Sequence, residues 1–201
     1  MSLDAAIADL AHCRSVLVRV TVGLGVTELD YRAFPDAKSN GEILLHIAGF
    51  EFLVLAGARL AQGERIDPEP WAQLKPGFAR EAGFTPPTGR ELSAYLGHLG
   101  QVRQDTIAYL MADSTRRGLE AERFTILQLA QELSATDREA DRSCYERLAR
   151  GVSTSFADDG SVDSRGMVDI PALLLLHETY HRGQLTLNKY IRSRKLREAA
   201  S

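Results

Sequence analysis

Apolar residues return every three or four positions along four stretches of this chain, the period of a helix that buries one face. Leu3, Ala6, Leu10, Cys13, Leu17, Val20 and Leu24 make the first stripe and predict a helix ending near Gly23 and Gly25. Ser39-x-x-Glu42 has the spacing of a capping box, in which hydroxyl and carboxylate each satisfy a free backbone N–H. It opens a second helix with Ile43, His46, Ile47, Phe50 and Val54 on its inward face, stopped by Gly63. Thr88-x-x-Glu91 repeats the box, and Leu92, Leu96, Leu99, Thr106 and Leu110 carry a third long helix. A fourth starts near Asp169, tolerates Pro171 in its first turn and runs through Ile191.

The connections are uneven. Residues 64–87 hold Pro68, Pro70, Pro76, Pro86 and Pro87 around the only tryptophan, which predicts a lid or packed loop with one short helix near 71–80. Residues 113–167 read as an insertion: a helical stretch at 127–133, a short helix capped by Thr136-x-x-Glu139 and ending at Gly151, then a polar loop at 153–166. No segment sustains the alternation of a strand. The expected fold is all-α, a single domain over residues 1–201 built as a four-helix bundle with extra short helices between helices three and four.

Composition narrows the function classes. The chain has 201 residues, 44% hydrophobic and 25% charged, enough for one substantial core. Net charge is −3 and the basic residues are dispersed, apart from Arg192, Arg194, Lys195 and Arg197 at a helix end, so no nucleic-acid partner is expected. Asp9, His12, Arg14 and Arg19 interrupt the N-terminal apolar residues, which argues against a leader or a membrane span and for a cytoplasmic protein. Cys13 and Cys144 belong to no CxxC pair, so neither a disulfide framework nor a thiolate zinc site is expected.

The chemistry concentrates on the fourth helix. Its seam reads Ile170, Leu174, His177, His181, Gln184, Asn188, Ile191, with four consecutive polar positions. Burying such groups without partners costs about 1–3 kcal/mol each, so the pattern points to a cavity, a hydrogen-bond network or a metal. His177 and His181 lie one turn apart on one face and can share a divalent cation, with His46 on another inward stripe as third ligand. Three imidazoles with an open position suit zinc, and imidazole also suits nickel, iron and copper. The plainer alternative is a set of hydrogen-bonded core histidines. His177-Glu178-x-x-His181 also matches the zincin pattern HExxH, with Glu178 as general base, but no third ligand motif follows and no strands are predicted to hold a peptide. A ferritin-like di-metal site needs two Glu-x-x-His pairs, and only Glu178-x-x-His181 fits.

Taken together, Ser39-Asn40-Gly41-Glu42-Ile43-Leu44-Leu45-His46-Ile47-Ala48-Gly49 and His177-Glu178-Thr179-Tyr180-His181-Arg182-Gly183-Gln184 resemble the DinB/YfiT-like family of bacterial three-histidine metalloproteins. The resemblance spans nearly the whole chain. It implies an up-down-down-up four-helix bundle, often a homodimer, with one zinc or nickel held by His46, His177 and His181. Characterised relatives include thiol-dependent S-transferases and isomerases that use bacillithiol, mycothiol or glutathione, and a metal with an open position can hold such a thiol as thiolate. The chain departs from the family pattern in its longer segment between helices three and four and in its 24-residue connection after helix two. Around the ligands, Gln184 can hydrogen-bond a ligand or metal-bound water, Glu178 can orient an imidazole, and Arg182 can bind an anionic group or a partner copy. Asn188 and Tyr180 are further pocket candidates. The expectation is a small-molecule or thiol partner; the alternative class is a non-catalytic metal- or ligand-binding stress-response protein.

Overall fold

The computed structural model describes residues 2–79, 84–112, 118–120 and 167–200. Their elements are α1 (Leu3–Thr21), a short α2 (Val26–Leu29), α3 (Asn40–Ala61), α4 (Glu69–Leu74) running into a 3₁₀ turn (Lys75–Phe78), α5 (Leu92–Ala112), β1 (Gly118–Glu120), β2 (Met167–Asp169) and α6 (Ile170–Ala199). The fold is all-α, as the periodicity predicts. The expectations for 127–133, 136–151 and 153–166 lie outside the described residues, but the two short strands on either side of 121–166 pair antiparallel, Leu119 opposite Val168. Three residues are too few to show as alternation in sequence.

The local signals act as their chemistry requires. Ser39 Oγ accepts from the Glu42 N–H at 3.2 Å and Glu42 Oε2 accepts from the Ser39 N–H at 2.6 Å, completing the capping box of α3. Gly63 closes that helix at φ +76. Asp169 caps α6 by accepting from the Ala172 N–H. Thr88 does not cap α5, which starts later, at Leu92, and the buried stripe of α5 is Tyr95, Leu99, Val102, Arg103, Thr106, Tyr109 and Leu110. Helix α6 continues eight residues beyond Ile191, with an Arg194–Glu198 pair one turn apart on its exposed end.

Side-chain contacts give the relative directions of the long helices. Arg103 donates to the Leu10 carbonyl and Arg14 to the Leu99 carbonyl, so α1 and α5 run in opposite directions. Arg14 meets Glu178 and Lys189 meets the Val20 carbonyl, so α1 and α6 run in parallel. Helix α3 parallels α5, with Glu51 on Arg103 and Gln62 on Tyr109, and opposes α6, with Asn40 on Asn188 and Phe50 on His177. The stretch Asn40–Arg59 is apolar enough to cross a membrane, with mean hydropathy 1.6, yet 89% of it is buried inside the protein, where it forms the spine of the core.

At the centre of that core four charges meet, one from each long helix. Glu51 Oε1 accepts from Arg103 Nε at 2.7 Å and Glu51 Oε2 from Arg14 at 2.6 Å, while Glu178 accepts from Arg14 at 3.0 Å and from Arg103 at 2.7 Å. All four side chains are buried. Burial alone would raise the Glu51 carboxyl, but the Arg103 and Arg14 guanidiniums outweigh it and hold the group below its ordinary value. The apolar periodicity marks Leu10, Cys13 and Leu17 on α1 and Leu99, Thr106 and Leu110 on α5, and gives no sign that Arg14 and Arg103 are buried beside them.

Removing one member leaves a buried charge without compensation, so Glu51→Ala should cost about 3–5 kcal/mol in urea unfolding. Replacing Arg14, Glu51, Arg103 and Glu178 together by apolar residues of similar volume should recover most of that loss. A change under about 1 kcal/mol for Glu51→Ala would mean the four charges do not pin the helices.

Candidate metal centre

Helix α6 presents two histidines to α3 and the capping box of α3 sets the height of the third. His46, His177 and His181 each offer a ring nitrogen, and these atoms lie within 4.8 Å of one another. Ring centroids are 5.2 Å apart for His46 and His177, 4.7 Å for His46 and His181, and 4.4 Å for His177 and His181. Among the described residues no other group of histidine, cysteine or acidic side chains gathers in this way. His12 is exposed on α1 and His98 half-buried on α5, outside the cluster.

The rings are held from outside. Phe50 stacks on His177 at 3.6 Å with the planes 12° apart, and Phe78 lies 4.4 Å from His46. The 3₁₀ turn that carries Phe78 comes closer to α3 than any side chain allows: a Cβ on Gly77 would sit 2.4 Å from the His46 amide nitrogen. His181 Nδ1 meets Gln184 Oε1 at 2.7 Å, and the Gln184 amide donates onward to the Tyr180 hydroxyl at 3.1 Å. A carbonyl oxygen only accepts, so Nδ1 of His181 carries the proton and its Nε2 keeps a lone pair. That Nε2 faces His177 Nε2 at 3.1 Å.

The structure brings Gln184 and Tyr180 to the triad and sends Glu178 and Asn188 elsewhere. Glu178 points to Arg14 and Arg103. Asn188 donates to Asn40, which ties α6 to the start of α3. Arg182 lies half-buried towards Cys13 of α1. Thus the buried stripe of α6 is Leu174, Glu178, His181, Leu185 and Asn188, with His177 and Gln184 half-buried at its edge. Lys38, Phe78 and Gly77 were not visible as site residues in the sequence, since they reach the triad from loops that have no period.

A donor set must be unprotonated to bind a cation. Burial, then the other histidines, then the Lys38 charge push His46 well below the ordinary imidazole value, and burial, His181 and Lys38 do the same for His177. Both rings are therefore neutral at physiological pH. With metal–nitrogen bonds of about 2.0–2.1 Å, a 3.1 Å separation of the two Nε2 atoms subtends roughly 100°, inside the range a tetrahedral or octahedral ion accepts. A tetrahedral ion wants roughly 3.4 Å between ligand atoms, so the widest pair, within 4.8 Å, has to close by up to about 1.4 Å. The residues fit a divalent metal.

No family model, curated protein or solved structure matches the chain.

The depressed histidines make the metal-free protein sensitive to acid. Above the unfolded value of 6.5 both states are neutral and no proton is linked to folding. As pH falls through 6.5 towards the folded values, the unfolded chain takes up protons that the native state refuses, so stability drops by about 1.4 kcal/mol per pH unit for each histidine. Urea unfolding in chelator at pH 7.5, 6.5 and 5.5 should show this slope, and His177→Gln should reduce it; equal slopes would mean the rings are not held neutral.

Proposed function

We propose that this chain is a metalloprotein of the DinB/YfiT-like kind, with one divalent metal, zinc or nickel, as its cofactor. His46, His177 and His181 would hold the ion. The carrying observation is the convergence of these three imidazoles from α3 and α6, His46 and His177 half-buried and His181 buried, with Gln184 fixing the tautomer of His181. The directions of the long helices, α1 and α6 one way and α3 and α5 the other, agree with the up-down-down-up bundle the motif implies and so support the reading.

The proposed activity is a thiol-dependent S-transferase or isomerase. When bound, the metal supplies a Lewis acid that favours the thiolate of a small thiol such as bacillithiol, mycothiol or glutathione. Among the described residues, the nearby carboxylates and thiol are already engaged: Glu51 and Glu178 are taken by arginines, and Cys13 lies beside Thr179 with its thiol pushed up by burial and by Glu178. A co-substrate thiol would provide the missing nucleophile. The same observation counts against the zincin reading, because Glu178 is not placed to activate water at the triad. It leaves a non-catalytic metal- or ligand-binding protein as the second reading. The thiol pool this activity requires belongs to the reducing cytoplasm.

Metal analysis of wild type and His46→Ala, purified side by side without chelating resin, should give near-stoichiometric metal in the first and little in the second. Loaded wild type should then accelerate consumption of a model electrophile by one of the three thiols; metal binding without any such rate favours the binding protein. Full metal retention in His46→Ala overturns the three-histidine site.

For assembly we propose a homodimer formed on the outer face of α6, where Leu176, Tyr180, Leu187 and Tyr190 stand 48–63% exposed at intervals of three, four or seven. Light scattering should find a dimer for wild type and a monomer for Leu187→Glu. A monomeric wild type removes this part of the reading.

A further inference from the structure

Each imidazole of the triad has its own holder. Gln184 accepts from His181, Phe50 stacks on His177, and Phe78 lies against His46 at 4.4 Å, tilted by 52°. Gln184 and Phe50 stand on α6 and α3, the helices that carry the rings. Phe78 comes instead from the 3₁₀ turn Lys75–Phe78, inside the proline-rich connection. An imidazole turns broadly about its second side-chain torsion, so the pose of His46 depends on what touches its ring. The turn that delivers Phe78 therefore has to be seated as closely as the helices themselves.

Two glycines seat it. A Cβ on Gly77 would lie 2.4 Å from the His46 amide nitrogen, 2.6 Å from the Leu45 carbonyl carbon and 2.8 Å from Leu45 Cβ. The first two are backbone atoms of α3 and cannot rotate aside. Ordinary contact begins at 3.4 Å, so a side chain at position 77 pushes the turn back by about 1 Å. On α3, three residues beyond His46, a Cβ on Gly49 would lie 2.6 Å from Phe78 Cε2 and 3.5 Å from Trp71 Cζ3. Gly49 thus leaves the hollow that the Phe78 ring fills, with the Trp71 ring packed on Phe78 at 5.4 Å. Neither glycine has a positive φ, and glycine inside a helix is a poor helix former. What both supply is the missing Cβ.

We propose that Gly77 and Gly49 are positioning residues of the metal site: they let the 3₁₀ turn close on α3, and Phe78 then holds the His46 ring in the pose that completes the triad. This inference rests on the metal reading of the triad. It makes the third ligand conditional on the docking of a turn, whereas His177 and His181 are held from the long helices alone. With the turn displaced by about 1 Å, the His46 ring leaves the tolerance of about 0.5 Å that a preorganised site demands.

The test titrates cobalt(II) into wild type, Gly77→Ala, Gly49→Ala, Phe78→Leu and a control, Gly97→Ala, whose new Cβ on α5 meets nothing within 4 Å. Visible absorption reads the coordination of the bound ion, and urea unfolding is followed on the same samples. Gly77→Ala, Gly49→Ala and Phe78→Leu should each raise the cobalt Kd about tenfold and weaken the visible band, while Gly97→Ala matches wild type. In the metal-free protein the NMR signals of the His46 ring should shift in Gly77→Ala and Gly49→Ala, because the Phe78 ring no longer lies against it. Gly77→Ala is the harsher change; should it fail to fold, Gly49→Ala, which meets only side-chain rings, decides. Glycines with a merely structural role would lower the urea midpoint while the folded variants keep the wild-type cobalt Kd and spectrum, and that result overturns the proposal. An equal loss of cobalt in Gly97→Ala overturns it as well. Wild type that takes up no cobalt overturns the metal reading, and the His46 ring signals then decide the positioning alone: shifted signals support it and unshifted ones overturn it.

Discussion

Two guanidiniums and two carboxylates, one on each long helix, are buried together where water cannot screen them, and the need to keep them paired constrains how the four helices sit against one another. Arg14 and Arg103 each bridge Glu51 and Glu178, and each also donates to a backbone carbonyl of the other's helix, Leu99 for Arg14 and Leu10 for Arg103. A helix that slid by one turn, 5.4 Å, would break its pairs and strand a charge. Apolar packing tolerates such slips far better, because one Leu resembles another. The four charges therefore supply register where the hydrophobic stripes supply only attraction.

The same four charges aim the histidines. Successive residues on a helix point about 100° apart, so one helix can face two partners from neighbouring positions. Helix α6 sends Glu178 to the arginines and His177 to α3; helix α3 sends Glu51 to the arginines and Phe50 to the face of His177. The doublets Phe50-Glu51 and His177-Glu178 thus couple the charge network to the triad through two peptide bonds. Any rotation of α6 that moved His177 off Phe50 would drag Glu178 out of its pairs. Such coupling holds the rings on rigid elements, the condition for a preorganised site.

How far this could be read from the sequence follows from the range of each interaction. The capping box of α3, the stop at Gly63, the Asp169 cap and the one-face spacing of His177 and His181 are local, encoded within a few residues, and they are legible. The all-α class follows from the period alone. Glu178 does not orient an imidazole as its place beside His177 suggests, because its partners, Arg14 and Arg103, come from other helices. Arg14 and Arg103 sit at seam-compatible positions, between Leu10 and Leu17 and between Leu99 and Thr106, and a charge there reads as solvated until its partners on other helices are known. Four seam charges that sum to zero, Arg14, Glu51, Arg103 and Glu178, were the available signal. Lys38 and Gly77 left no such trace: their roles arise only when a proline-rich connection folds back on α3.

What remains near the triad is chemically spare. Gln184 accepts a hydrogen bond from the His181 ring, Phe50 and Phe78 offer only surface, and Tyr180 stands at the rim, 63% exposed. Acids that would serve as bases are committed to arginines in the core, and the thiol of Cys13 is sealed against Thr179. The two carboxylates that set the register, Glu51 and Glu178, are thereby held away from the triad. On the proposed thiol-dependent reading, the nucleophile is therefore the bound molecule's own rather than one of these side chains.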